Sequence, residues 1–455
     1  MRFNRGIDGE AYLGDTDHRR NEQSLVVDQA GNTFVADSVH DGSSWDFLVA
    51  KYGPDGALIW STRVDSPSVG AQQDWPTALA LDSFGNVFVT GYSSGNPGGT
   101  DLLTAKVNSL GLQQWAVLHN GVGNPEEWGR AIAVDSAGSV FVAGERNSNA
   151  NDFLIVKHGP GGALQWSATF DGATHGDERL FGLAVDGNGS PYVTGWSRDA
   201  VSGVSDFMTV RWSAAGSQLW AVPFDNPAPG TQEDWAYGLT IDVAGNAYVV
   251  GGSNNQFMTV KYDSAGVQQW ATPFGGVSVG EAYAVTVAAG GEVVVTGSGI
   301  SGSSGWDLVT VEYDPAGVQQ WAAISENPEA GTQLDYAIAI VSDPSGNVCI
   351  VGYSQDPVTT RYDYLTAKYD GSGVVQWVRA FDSPLVGSQD DIGSAVGMDM
   401  SGNVLVGGRS YDSTWDARIV KYDPAGTQLW TTIEPPSRAT TDRFASETNQ
   451  FARGG

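Results

Sequence analysis

The chain has 455 residues, 41% of them hydrophobic, and a formal charge of −29 at pH 7. A surface this acidic repels nucleic-acid phosphates and anionic lipid, so both are disfavoured as partners; the acidity also serves solubility. One cysteine, Cys349 in the apolar run NVCIVG, excludes an intrachain disulfide and a thiolate cluster and reads as a small core residue.

The opening MRFNRGIDGEAYLG lacks the apolar run of a signal peptide. No apolar stretch is long enough to span a bilayer. From about residue 20 one phrase recurs, ending in KYGPDGALIW, KYDSAGVQQW and KYDPAGTQLW. Its final indoles are Trp60, Trp115, Trp166, Trp220, Trp270, Trp321, Trp377 and Trp430, spaced 50 to 56 residues apart. A period of that size is one supersecondary unit copied in tandem.

Each copy carries four short segments. The first is small and apolar and ends in Asp (ALALD to Asp82, AIAVD to Asp135); the second follows a turn (GNVFVTG); the third reads DFLVAKY or DFLIVKH. The fourth is expected to run from a glycine to the tryptophan. β-Branched and aromatic enrichment with Gly, Asn and Pro breaks predicts strands, and nothing has helical periodicity. The prediction is an all-β fold: a single eight-bladed β-propeller of four-stranded antiparallel blades. Its alternative is seven blades plus one displaced repeat. The expected divisions are an N-terminal extension over 1–19, the propeller over 20–434 and a polar C-terminal tail over 435–455.

In the D-x-x-G-N turns, Asp28, Asp82, Asp135, Asp242, Asp343 and Asp399 cap their own turn, and the glycine three residues on accepts a positive φ. Calcium is the sharper reading of repeated Asp-Gly-Asn, but one carboxylate per loop falls short of a site needing 6–8 oxygens. Small residues stand four positions before that Asp: Ser24, Ala78, Ala131, Gly182, Gly238, Ala284, Ala339 and Ala395. They place the first strand innermost, where blades converge. The third strand carries a base (Lys51, Lys106, Lys157, Arg211, Lys261, Lys368, Lys421), and copy six loses acid and base together, with Ala288 and Glu312. That covariation predicts seven Asp–base pairs within blades.

The phrase VD-x-x-GN-VFVTG, followed by D-FLVAKY and G-x-x-x-W, resembles the SBBP β-propeller repeat of bacterial exported and cell-surface proteins over about residues 20 to 434. The family name implies seven blades, whereas eight copies stand here. The phrase around Asp423, Gly426 and Trp430 is similar to the tryptophan-docking motif of eight-bladed quinoproteins. That resemblance implies that all eight repeat indoles stack on a neighbouring blade. The quinone cofactor does not carry over, because adjacent cysteines are absent.

Chain direction puts the longer, more variable connections on one rim, called upper here, and such loops are the usual place for binding. Two acidic sets fall there. One opens strand three: Asp46, Asp101, Asp152, Asp206, Asp307, Asp363 and Asp416. The other precedes strand one: Asp74, Glu127, Glu178, Asp234, Asp335 and Asp391. Trp75, Trp128, Trp235 and Tyr336, and Trp45, Trp306 and Trp415, accompany them. Acids beside flat aromatic faces bind sugars or cations; their recurrence in nearly every copy equally fits a role in the fold. The candidate ligand-binding residues are Asp46, Trp75, Asp101, Trp128, Asp152, Asp206, Trp235, Asp307, Asp363 and Asp416.

Catalytic signals are poor. His18, His40, His119, His158 and His175 form no metal spacing, and there is no G-x-S-x-G elbow or P-loop. The expected function is a non-catalytic, exported or cell-surface scaffold that binds a protein or glycan on its upper face. It needs no cofactor, and calcium is the cation an acidic rim would take. A polysaccharide-acting hydrolase or lyase at the channel mouth, and a structural repeat of a larger surface protein, are the alternatives. A cytoplasmic location is the alternative to the cell surface.

Overall fold

The computed structural model describes residues 25–433 except 41–42, 68–71, 97–98, 225–232, 289, 303–304, 326–332, 357–358, 383–389 and 412–414. The expected N-terminal extension and polar tail, and Ser24, lie outside the described residues. Within them the fold is all-β, without helix, and of β-propeller type: 32 strands in successive four-stranded antiparallel units. In the fourth unit, for example, Glu178–Val185, Pro191–Arg198, Ser205–Trp212 and Gln218–Phe224 pair in chain order.

The turn after each first strand forms for a local reason. The Oδ1 atom of Asp28 accepts the N–H groups of Ala30 and Asn32, both at 2.9 Å, and the Asn32 side chain closes on Oδ2 at 2.7 Å. Gly31 supplies φ +80°. The same arrangement recurs at Asp82, Asp242, Asp343 and Asp399.

Strand four differs from expectation. It begins after the turn glycine and runs past the tryptophan, as in Leu58–Arg63 and Gln428–Ile433. The glycine holds the positive φ of the turn, so pairing starts beyond it. Pairing then continues from Lys51↔Trp60 to Leu48↔Arg63.

First strands of successive units lie side by side, and Leu25–Val27 of the first unit lies against Asp391–Met398 of the last. The small residues sit at these contacts: a Cβ on Gly182 would fall 2.9 Å from Leu239 Cβ. Just ahead of each, strand one slips register, between Leu180 and Gly182 and between Ala236 and Gly238. The carbonyl exposed by the slip crowds the glycine that ends the VFVTG phrase. A Cβ on Gly195 would lie 1.8 Å from Arg179 O, which no side chain tolerates.

Each repeat indole lies on the turn glycine between strands three and four of the next unit. Added Cβ atoms at Gly111, Gly162, Gly216, Gly266, Gly317, Gly373 and Gly426 would come within 3.0 Å of Trp60, Trp115, Trp166, Trp220, Trp270, Trp321 and Trp377 respectively. Trp430 meets Gly56 of the first unit in the same way. Rings of the next unit complete the packing, as for Trp270 with Tyr313 and Trp115 with His158. His158 is buried, and burial pushes its pKa down to about 4.

Two of the seven expected Asp–base pairs form among the described residues: Arg211–Asp186 at 2.8 Å and Lys421–Asp399 at 3.1 Å. The base also reaches onward to the next unit, whether or not the pair is made. Lys261 Nζ donates to Pro315 O of the next unit at 2.8 Å, the carbonyl that also takes the Trp270 N–H at 3.2 Å. Lys157 and Trp166 share Ala214 O in the same way. Lys51 and Lys106 sit over Phe34 and Phe88. In the sixth unit Glu312 stands opposite Trp321 instead, its carboxyl pKa raised by burial.

Candidate functional site

The start of strand three in one unit lies beside the entry to strand one of the next. Trp45 pairs in parallel with Gln73, and Gly305 and Trp306 with Gln333 and Leu334. Asn151 N donates to Asp177 Oδ1, and Tyr362 N to Asp390 Oδ1, both at 3.1 Å. This topology brings the two acidic sets to the same seams.

The strand-one acids lie deeper. Asp74, Glu127, Glu178 and Asp234 are fully buried, and Asp335 and Asp391 nearly so. Of the strand-three acids, Asp46, Asp101 and Asp307 are buried and Asp152, Asp206 and Asp363 half-buried. The side chain of Asp416 lies outside the described residues, as does that of Trp415. Trp75, Trp128 and Trp235 are half-buried. Trp45 stacks on Trp75 at 5.3 Å, and Trp306 on Tyr336 at 5.9 Å, each pair spanning a seam.

A third acid joins at some seams, five residues beyond the repeat tryptophan. One oxygen from each of Asp152, Asp171 and Glu178 lies within 4.8 Å of the others, and Asp363, Asp382 and Asp391 repeat this between the last two units. The sequence reading missed Asp171 and Asp382. Their signal was a fixed offset from Trp166 and Trp377 inside loops read only as variable.

The seams differ in how the carboxylates are compensated. At the first, Arg63 pairs with Asp46 at 2.5 Å. At the second, His119 Nδ1 meets Glu127 Oε2 at 2.7 Å. At the third, the exposed His175 bonds Asp171 at the surface, which raises the imidazole pKa. Glu178 Oε1 accepts from Ser197 at 2.7 Å, while Oε2 is buried with no protein partner. Burial foremost, reinforced by Asp152 and Asp171, pushes the Glu178 carboxyl up to about 8. Burial and then Asp171 push Asp152 up to about 6, and burial does the same for Asp74.

Above this third seam is an open cleft of about 360 Å³ whose lining includes Asn149, His175, Asp177, Arg198 and Asp199. Three connections build it and are tied together. Arg198 N donates to Asp177 O at 2.8 Å, Arg198 Nε to Gly203 O at 3.0 Å and Ala200 N to Thr174 Oγ1 at 2.9 Å. His175 is held at φ 55°, a region that non-glycine residues seldom occupy. The lining offers mixed hydrogen-bond donors and acceptors on a fixed frame.

No curated protein sequence matches the chain. Among solved structures, Sqt1 from Chaetomium thermophilum is similar at 10% identity, with 85% of this chain and 94% of that chain covered and a TM-score of 0.50. The BP39L lectin from Burkholderia pseudomallei is 14% identical over 80% of this chain and 100% of that one, with a TM-score of 0.46. A PL25 ulvanlyase, a polysaccharide lyase, is 10% identical over 92% and 94%, with a TM-score of 0.49. At such identities the likeness is one of fold. The sequence match is narrower and more specific: residues 59–99 match the SBBP beta-propeller repeat, and the chain is a bearer of that repeat.

Proposed function

We propose that the eight units close into one eight-bladed ring, and that this ring is a non-catalytic, cell-surface scaffold binding a glycan on its upper face. Closure is supported by the contact of Trp430 with Gly56, which repeats the contact between every other successive pair of units. On this reading the eight repeat indoles are docking residues, and buried acids such as Asp46, Asp101 and Asp307 brace the seams.

The single observation that carries the binding reading is the cleft over the third seam. Here three tied loops set Asn149, His175, Asp177, Arg198 and Asp199 around one opening. Mixed amide, carboxylate, imidazole and guanidinium groups match the alternating donors and acceptors of sugar hydroxyls.

A glycan array probed with the wild-type chain and with Asn149→Ala and His175→Ala tests this. Binding reduced at least about tenfold in both variants, with no new reducing ends released, is the expected result. An array without hits, or turnover of a bound polysaccharide, contradicts it, and turnover favours the hydrolase or lyase reading.

A further inference from the structure

We propose that Asp152, Asp171 and Glu178 form a divalent-cation site, of calcium type, at the seam between the third and fourth units. Three carboxylates converge there from three different strands or strand ends: the start of Asn151–His158, the residue after Leu164–Phe170, and the start of Glu178–Val185. Their facing oxygens lie within 4.8 Å of one another. Oxygens at about 2.3–2.6 Å from one calcium ion span up to about 5 Å across it, so the three fit a single sphere. Water fills the remaining positions.

Convergence alone would describe any acidic surface, and a second observation joins it at this seam. Glu178 is 0% exposed, and its Oε2 has no protein partner. An uncompensated buried carboxylate oxygen is costly. Asp74 and Glu127 at the two preceding seams also carry such oxygens, and what distinguishes the third seam is the third carboxylate, Asp171, beside the buried one. At the third seam Ser197 donates to Glu178, and His175 engages Asp171 from the solvent side. Asp363, Asp382 and Asp391 reproduce the same three positions at the last seam.

The site does not depend on the glycan reading, because calcium chloride alone is the probe. Calorimetry of the full chain is compared with Asp171→Asn and Glu178→Gln, the first at an exposed position that leaves folding intact. The expected results are saturable binding with a Kd below about 1 mM, a rise in Tm, and loss of one equivalent in both variants. Absence of heat and of a Tm shift in the wild type overturns the site. So does an unchanged stoichiometry in folded Asp171→Asn.

Discussion

The indole of Trp430 rests on Gly56, 374 positions earlier in the chain: a Cβ on Gly56 would lie 2.8 Å from the ring, and Trp430 Nε1 donates to Pro54 O at 3.0 Å. The last described unit thereby grips the first in the manner that Trp270 grips the turn at Gly317. Whatever such a contact contributes between neighbours, it contributes again between the ends.

Removing one of these indoles opens a cavity between two units. Trp270→Ala is expected to destabilise by roughly 3–5 kcal/mol, from lost burial and incomplete collapse. Denaturant melts followed by circular dichroism measure it. A loss below about 1 kcal/mol would contradict the docking role.

The partner glycine is constrained twice. Gly317 has φ +84°, and a Cβ there would sit 2.7 Å from Trp270. Gly317→Ala therefore combines backbone strain with displacement of the indole, for an expected cost of about 2–4 kcal/mol. A cost no larger than that of a surface Gly→Ala change would show that the indole does not rest there.

Bases at equivalent positions should not be equivalent in energy. Lys421 is 2% exposed, pairs with Asp399 and donates to Pro54 O at 3.1 Å. Lys106 sits over Phe88, half-buried. Lys421→Met leaves a buried carboxylate without its cation and is expected to cost about 3–5 kcal/mol. Lys106→Met is expected to cost under about 1 kcal/mol. Equal losses in urea titrations would refute the distinction.

Glu178 gives a pH dependence of definite sign. Its folded pKa of about 8 lies above the ordinary carboxyl value of 4.5, so the folded state holds the proton more tightly. In chelator the stability it confers is complete below the unfolded pKa and is lost as pH rises through about 8. At 1.36 kcal/mol per pKa unit, a loss on the order of 3 kcal/mol is expected between pH 5 and pH 9. Glu178→Gln should flatten that part of the profile. A wild-type profile that rises over this range would contradict the assignment.

The repeat made the strands and the turns legible, because each rests on local chemistry: an Asp that caps its own turn and a glycine with positive φ. Pairing across units was less legible. The covariation of Asp with Lys reads as a contact within one unit, yet Lys261 reaches Pro315 in the next, and even Lys421, which does pair with Asp399, also donates to Pro54 across the seam. The glycine at Gly195 carried a signal whose reason, the register slip above it, exists only in three dimensions. Asp171 escaped because its significance depends on Asp152 and Glu178, which are 19 and 7 positions away and meet it only when two units abut.

Ring closure is tested most directly at the seam between first strands. A Cβ on Gly397 would lie 3.1 Å from Val27 Cβ, close to the separation of about 3.5–4.5 Å that a disulfide requires. Cys349 is buried and does not compete. In Val27→Cys/Gly397→Cys, mild oxidation of the native chain should give a quantitative intramolecular bond, read as a mobility shift on non-reducing gels that reductant reverses. Thiols that stay free, or that link only between molecules, would contradict a closed ring.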